Sequence, residues 1–289
     1  MVIEKMGTDA ATASSRANAT FKLAVFTRDL AMKQSGEARS RGLRRAADLF
    51  KQYLDLAPNG ESASQARAAY TRSLQDAGDT ASVAGIHAAM IANPGAYTAI
   101  QLFEAAVVQA NSQKLADAAV LYESGLQMNP WYRDALFNAA NVYLALHQPE
   151  KMAQVVERLR AVDPMNPDVV RLAGAVWQEC GALATEARVR QMSQDSVIAY
   201  LDRASKLPAR VTVSRFLAGR DSTVTLAGAV ENLGAATASY GVLFDLLDKS
   251  GAAVGTAEIR AESVVAKGRR EFSAQIGVAG VVAWRYRMK

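Results

Sequence analysis

Residues 126–130 read Leu126-Gln127-Met128-Asn129-Pro130. The same ending stands upstream at Met90-Ile91-Ala92-Asn93-Pro94 and downstream at Ala161-Val162-Asp163-Pro164, and an earlier version closes at Ala57-Pro58-Asn59-Gly60. Each is an apolar helical run brought to a halt. Proline has no amide hydrogen to donate and clashes with the carbonyl one turn back, and Asn or Asp beside it favours a turn. The prolines fall at 58, 94, 130 and 164, at intervals of 36, 36 and 34. A stop at near-constant period marks a repeat array, in which each unit buries its apolar face only by stacking on its neighbours.

Inside each period the pattern predicts two helices. In the third unit Ile100 to Gln109 is apolar on one side, Asn111-Ser112-Gln113-Lys114 breaks it, and Ala118, Tyr122 and Gly125 recur at helical spacing. In the fourth, Leu136, Ala139, Ala140 and Tyr143 share one face, His147-Gln148-Pro149 turns the chain, and Met152, Val156 and Leu159 share the next. Pro149 suits the first turn of that second helix. A fifth hairpin opens at Pro167-Asp168 with Val170, Ala173, Gly174 and Trp177, turns at Gly181, and continues as a polar helix to Lys206. Its stretch from Arg188 to Lys206 reads as polar enough to close that end of the array. The first unit starts near Phe21, crosses a gap from Ser35-Gly36 to Arg41-Gly42, and resumes from Leu43 to Leu56. The second, ending at Pro94, is the loosest, with Ala69, Tyr70 and Gly78 in rough register.

After Leu207-Pro208 the period changes from helical to two. Val211 to Phe216, Ser222 to Val230, Tyr240 to Leu246, Ala252 to Ala261, Phe272 to Ile276 and Val282 to Met288 read as short strands. Asp248-Lys249-Ser250-Gly251 reads as a hairpin turn. Six or seven such strands in this length predict an antiparallel sandwich. In the last strand Arg285, Arg287 and Lys289 alternate with Trp284, Tyr286 and Met288, which places the cations on one face and the apolar set on the other.

The helical part resembles the tetratricopeptide repeat family. That family sets a large residue, a small pair and an aromatic on its first helix, and Ala, an aromatic and a small residue on its second, before a closing Pro. The matching residues are Leu102, Ala105, Ala106, Ala118, Tyr122, Gly125 and Pro130 in the third unit, and Leu136, Ala139, Ala140, Tyr143 and Pro164 in the fourth. Val170, Ala173, Gly174, Trp177 and Gly181 match in the fifth, and Ala46, Phe50 and Pro58 in the first. The strand-rich part resembles the FxLYD family of immunoglobulin-like sandwiches. Phe244-Asp245-Leu246-Leu247-Asp248 stands at its motif with Leu247 for the usual Tyr, and Glu231-Asn232-Leu233-Gly234 and Val282-Ala283-Trp284-Arg285-Tyr286 fit beside it. The expected architecture is therefore multidomain, α plus all-β: a flexible lead over 1–20, an α-solenoid of about five hairpins over 21–206, and a small antiparallel β-sandwich over 208–289. Phe244 and Leu246 are expected in the sandwich core, with Asp248 opening its turn.

The remaining composition narrows the function classes. Half of the 289 residues are hydrophobic and 21% are charged, which suits packed domains. Residues 1–200 hold 20 basic and 20 acidic side chains, so the net +5 comes from the last 89 residues, with 13 and 8. That bias is modest and no nucleic-acid motif accompanies it, so no nucleic acid is expected. The run Thr80 to Phe103 carries no charge but holds Asn93-Pro94-Gly95 in its middle, and no transmembrane segment is expected. No signal-peptide core stands in 1–20. The one cysteine, Cys180, and the two histidines, His87 and His147, lie apart in sequence, and the expectation is a buried thiol, turn or surface imidazoles, and no metal site. Phosphate loops, dinucleotide-binding glycines and nucleophile elbows are missing, so no cofactor and no turnover are expected.

What the resemblance implies is binding. Family register places Phe103, Phe137, Asn141, Arg171 and Gln178 towards a groove for a protein partner. The set of Lys and Asn that grips a chaperone tail in some members is incomplete here, with Asn138 and Arg171 alone near such positions. Lys267, Arg269, Arg270, Arg285, Arg287 and Lys289 form a second candidate contact, a basic stripe for an acidic partner or lipid headgroups. An accessory subunit of an envelope or membrane complex is one rival reading. An enzyme with a site between solenoid and sandwich is another. The FxLYD resemblance points to a periplasmic or other extracytoplasmic place in a bacterial cell, with the cytoplasm as the alternative.

Overall fold

A computed structural model describes residues 10–58, 60–218 and 222–289. Among them are ten α-helices and, after the last helix, six β-strands. The α-solenoid-plus-β-sandwich architecture is as expected, and the chain divides into two compact units. One unit runs to Gln101 and the second starts at Leu102 and takes in the last three helical hairpins together with all the strands.

The first unit holds α1 (Ala10–Met32), α2 (Gly36–Leu56), α3 (Ala63–Asp76) and α4 (Thr80–Ala92). Helix α1 starts within the segment expected to be a flexible lead, and residues 1–9 of that lead lie outside the described residues. The expected gap before Leu43 does not exist either. The chain turns over Lys33 to Ser35, and α2 is helical from Gly36 through Gly42. Gly42 is there for contact rather than to break the helix: a β-carbon on it would stand 2.7 Å from that of Ala31. Phe21 of α1 packs its ring on Phe50 and Tyr53 of α2, at 5.9 and 5.3 Å between centroids. The Tyr53 hydroxyl accepts the Ser62 amide at 3.2 Å, tying the turn after Pro58 to the core. Asn59 of that turn is outside the described residues. Asp79 caps α4, accepting the Ser82 amide at 3.0 Å and its hydroxyl at 2.9 Å.

The second unit continues with α5 (Ala99–Asn111), α6 (Leu115–Met128), α7 (Arg133–Ala145), α8 (Pro149–Val162), α9 (Pro167–Leu183) and α10 (Ala187–Ser205). The small residues of the repeat pattern sit where helices touch: Ala106, Ala118, Ala139 and Ala140 are fully buried beside Leu102, Leu121, Leu136, Met152 and Leu159. Burying each large side chain in this set contributes about 1.5–3 kcal/mol. Gly181 lies inside α9 and not at its turn, because Ser193 of α10 closes to 2.8 Å from where its β-carbon would be. Helix α10 does not present the polar end expected of it. Met192, Ile198 and Leu201 are exposed along it, joined by Leu183 at the end of α9.

The strands form two three-stranded antiparallel sheets. One has the order β1 (Ala209–Ala218), β2 (Thr223–Asn232), β5 (Arg269–Gly277); the other has β4 (Ala253–Val264), β3 (Ala238–Leu247), β6 (Ala283–Met288). Phe244 and Leu246 are fully buried. The Phe244 ring bridges the sheets, 5.7 Å from Phe272 on β5 and 5.5 Å from Tyr286 on β6. Gly228 lets β1 and β2 close up at the bulge at Ser214, since a β-carbon there would lie 1.9 Å from the Thr212 carbonyl oxygen. Asp248 shapes the β3–β4 turn, accepting the Ser250 and Ala252 amides at 2.8 and 3.0 Å. Asn232 is buried and locks the β2–β3 connection, donating to Ala236 and Val264 carbonyls while accepting the Tyr240 hydroxyl at 2.7 Å.

What holds helices and strands in one unit is a pair of repeat-closing turns. In the turn after α6, Asn129 donates its side-chain amide to the Val282 carbonyl at 3.1 Å, and the Trp131 indole rests on Gly251 so closely that a β-carbon there would be 2.1 Å from its nitrogen. Gly251 also has φ +86°, a conformation that a larger residue resists. In the turn after α8, Asp163 is 2% exposed and accepts three hydrogen bonds. They come from the Tyr286 hydroxyl at 2.7 Å, Arg133 Nε at 2.9 Å and Asn166 Nδ2 at 2.9 Å. The Tyr286 hydroxyl in turn accepts the Met165 amide at 3.1 Å. Burial first, and then the Asp163 charge, push the Tyr286 phenol far above its ordinary pKa, so it stays a donor.

Candidate functional site

Between α5, α6 and α7 the helices leave a groove of about 360 Å³, with Val107, Ala110, Tyr122, Asn138, Asn141 and Val142 in its wall. Its wall draws small, polar and apolar side chains from three helices. Its chemistry is mixed. Val107 is 38% exposed and offers apolar surface. Tyr122 is hydrogen-bonded to Asn138, and burial pushes its phenol up to about 12. Asn141 donates to the Phe137 carbonyl at 2.8 Å, which fixes its amide in the groove wall. Such a surface can take the backbone and side chains of a peptide or helix.

The five residues expected in one groove do not gather there. Asn141 alone lines it. Phe103 is 5% exposed and sits in the core, its ring 5.2 Å from Tyr132 and 6.4 Å from Tyr122. The cause is Gly125: without a side chain it leaves room that the Phe103 ring fills, coming within 2.4 Å of where a β-carbon would stand. Phe137 is half-buried under the Arg133 guanidinium, 4.9 Å from ring centre. Arg171 is exposed and paired with Asp168 at 2.6 Å. Gln178 lines a different cleft, of about 540 Å³, between α9 and α10. Val107 went unnoticed because it reads as core spacing on α5. Its neighbour at four residues, Phe103, takes the inward place.

The basic residues are largely committed within the fold. Arg285 and Arg287 flank Asp245, with Nε to Oδ2 at 3.0 Å and Nη1 to Oδ2 at 2.9 Å. Lys289 pairs with Glu258 at 2.5 Å, and Arg260 reaches the same carboxylate at 3.0 Å. The Lys289 bond first, and Arg260 after it, hold the Glu258 carboxyl below its usual range. The alternation in β6 is as read, with Trp284 and Tyr286 inward and the cations outward, but the outward face is a ladder of ion pairs. On the other side of the sandwich Arg269 pairs with Glu271 at 2.9 Å, Arg270 donates to the Glu262 carbonyl at 3.2 Å, and Lys267 donates to the Leu233 carbonyl. The six therefore form two separate groups rather than one stripe.

Groups of three or more metal-ligating side chains that could hold a metal ion are not found among the described residues. His147 stands in the α7–α8 turn and pairs with Glu179 at 2.8 Å. His87 is 1% exposed, inside α4 and not on the surface. Burial, followed by Glu150 and Glu179, raises the Cys180 thiol, which disfavours the thiolate a nucleophile needs. No described helix is long and apolar enough to cross a membrane.

The sequence profile of the tetratricopeptide repeat family matches residues 109–176, from the end of α5 to the middle of α9. The helical hairpins there are similar to that repeat, which suggests protein interaction as the coarse role. A search of the curated proteins finds no match. Among solved structures the chain is similar to an alkylpurine DNA glycosylase, AlkC, of Pseudomonas fluorescens, bound to DNA containing an abasic site analog. Identity is 11% over 92% of this chain and 88% of that one, with a TM-score of 0.25, too low to relate the two folds.

Proposed function

We propose that this chain is a non-catalytic scaffold that holds a segment of a protein partner in the α5–α7 groove, with the sandwich as a second docking module. The observation that carries this is the groove itself, an open surface of mixed polarity built by the repeats that match the tetratricopeptide profile. Its wall offers amide, phenol and valine side chains, which suit recognition of a peptide or helix. The raised Cys180 thiol and the His147–Glu179 pair support a role without turnover. The buried Phe244 and Leu246 and the Asp248 turn support membership of the FxLYD-like sandwiches, and with it a periplasmic setting. The test is a photo-crosslinking residue placed at Asn141 in the native cell. The expected product is one dominant adduct to a defined segment of one partner, lost when Val107→Asp and Asn138→Ala are introduced. No adduct, or one indifferent to those changes, would overturn the reading.

A second reading, an accessory subunit of an envelope assembly, draws on the exposed Leu183, Met192, Ile198 and Leu201. It expects the dominant adduct from a crosslinker at Ile198 rather than at Asn141.

A further inference from the structure

We infer that the outer edge of β1, from Val213 to Leu217, is a docking site for a short extended acidic segment of another protein, separate from the groove above. Strand β1 pairs only with β2 and closes its sheet on that side. Among the described residues, the backbone groups that Val213 to Leu217 turn away from β2 have no backbone partner. A row of unpaired amides and carbonyls is satisfied by one kind of occupant, an added strand. The edge does not face open solvent alone. It borders a cleft of about 270 Å³ whose other walls include Tyr132 of the α6–α7 turn, Arg133 at the start of α7 and Trp284 of β6. That volume takes a few extended residues rather than a folded domain.

Charge selects the occupant. Arg215 lines this cleft, is exposed, and has no ion-pair partner among the described residues, whereas Arg285 and Arg287 on β6 and Lys289 just after it are all paired. Arg133, which also faces the cleft, keeps Nε on Asp163 and one amino group on Asp134. Asp134 is the one carboxylate in the wall, and Arg133 balances it. The net demand of the cleft is thus for one anion, met by a Glu or Asp opposite Arg215. The bulge at Ser214 shapes the site: Ser214 and Arg215 are both exposed there and both line the cleft. A bulge also limits how long a strand can pair, which fits a segment of a few residues and guards against open-ended stacking.

The test uses the whole chain, labelled with nitrogen-15, and two synthetic probes: the peptides Thr-Val-Glu-Val-Thr and Thr-Val-Lys-Val-Thr, both blocked at their ends. The acidic peptide is expected to shift the amide signals of Val213 to Leu217 and the Trp284 indole, and the lysine peptide to bind roughly tenfold more weakly. Methylating alternate backbone nitrogens of the acidic peptide leaves the protein untouched and is expected to weaken binding roughly tenfold by removing edge hydrogen bonds. Arg215→Glu, at an exposed position, is expected to reverse the preference between the peptides. Equal binding of the two peptides, indifference to methylation, shifts confined to the α5–α7 groove, or pairing of β1 with a second copy of the chain would each overturn the inference. Loss of crosslinking at Asn141 has no bearing on it.

Discussion

Asp163 ties three parts of the second unit together. One buried carboxylate serves donors from the preceding hairpin, its own turn and the last strand. Removing it leaves Arg133 and Tyr286 with buried polar atoms and no shared acceptor. Asp163→Ala is expected to cost about 3–5 kcal/mol, and Tyr286→Phe about 1–2 kcal/mol because Arg133 and Asn166 stay on the carboxylate. Urea unfolding of the two variants checks the ranking, and equal losses would contradict it. Three surface carboxylates contribute to the response to acid. Asp79 is held low by the Ser82 amide, Asp248 by the Ser250 hydroxyl and Glu258 by Lys289. Their folded forms release protons more readily than their unfolded forms, so what they contribute is whole near neutrality and is lost as pH falls below about 4. The thermal midpoint is expected to drop through that range, with a shallower slope in the Asp79→Asn, Glu258→Gln double variant. At this scale little was legible beforehand. The ion pairs of Arg285 and Arg287 depend on Asp245 lying on the neighbouring strand, and the bond from Tyr286 to Asp163 spans 123 residues. Local pattern has no means of announcing such partners.

Elements were easier to read where a chemical stop marks them. Asn129-Pro130 and Asp163-Pro164 end α6 and α8 where the repeat says they should, and Pro149 begins α8. Period-two alternation located all six strands. The failures came from glycine used for contact: Gly42 and Gly181 both looked like breaks and are both inside helices, each beneath a close neighbour. The same distinction yields opposite expectations for one substitution. Gly85 is in the middle of α4 with nothing within 4 Å of where a β-carbon would stand, so Gly85→Ala is expected to stabilise by about 1 kcal/mol. Gly228→Ala drives a methyl group into the Thr212 carbonyl and is expected to destabilise by about 2–3 kcal/mol. Thermal midpoints moving in the same direction for both would contradict the contact argument. The exposed apolar residues of α10 belong to this scale too: polar letters from Arg188 to Lys206 concealed them, because composition does not tell which side of a helix is covered.

The compact units of the molecule meet a few residues after the Asn93-Pro94 stop. Helix gives way to strand near Leu207, yet the compact unit runs through that change and starts instead inside α5. The reason lies in the two turns that grip the sandwich, whose residues look like ordinary repeat endings. Helices α7 and α8 and strands β3 and β6 are therefore expected to open together. Hydrogen exchange read by mass spectrometry should place their most protected amides at one common limit, and a separation of more than about 2 kcal/mol would show independent parts. The two gripping residues, Asn129 and Asp163, stand 34 positions apart, one period of the array. The sandwich is in effect a gauge one hairpin long. A hairpin slipped in between those turns would carry one handhold off its seat, so any variation in the number of repeats has to happen outside that span.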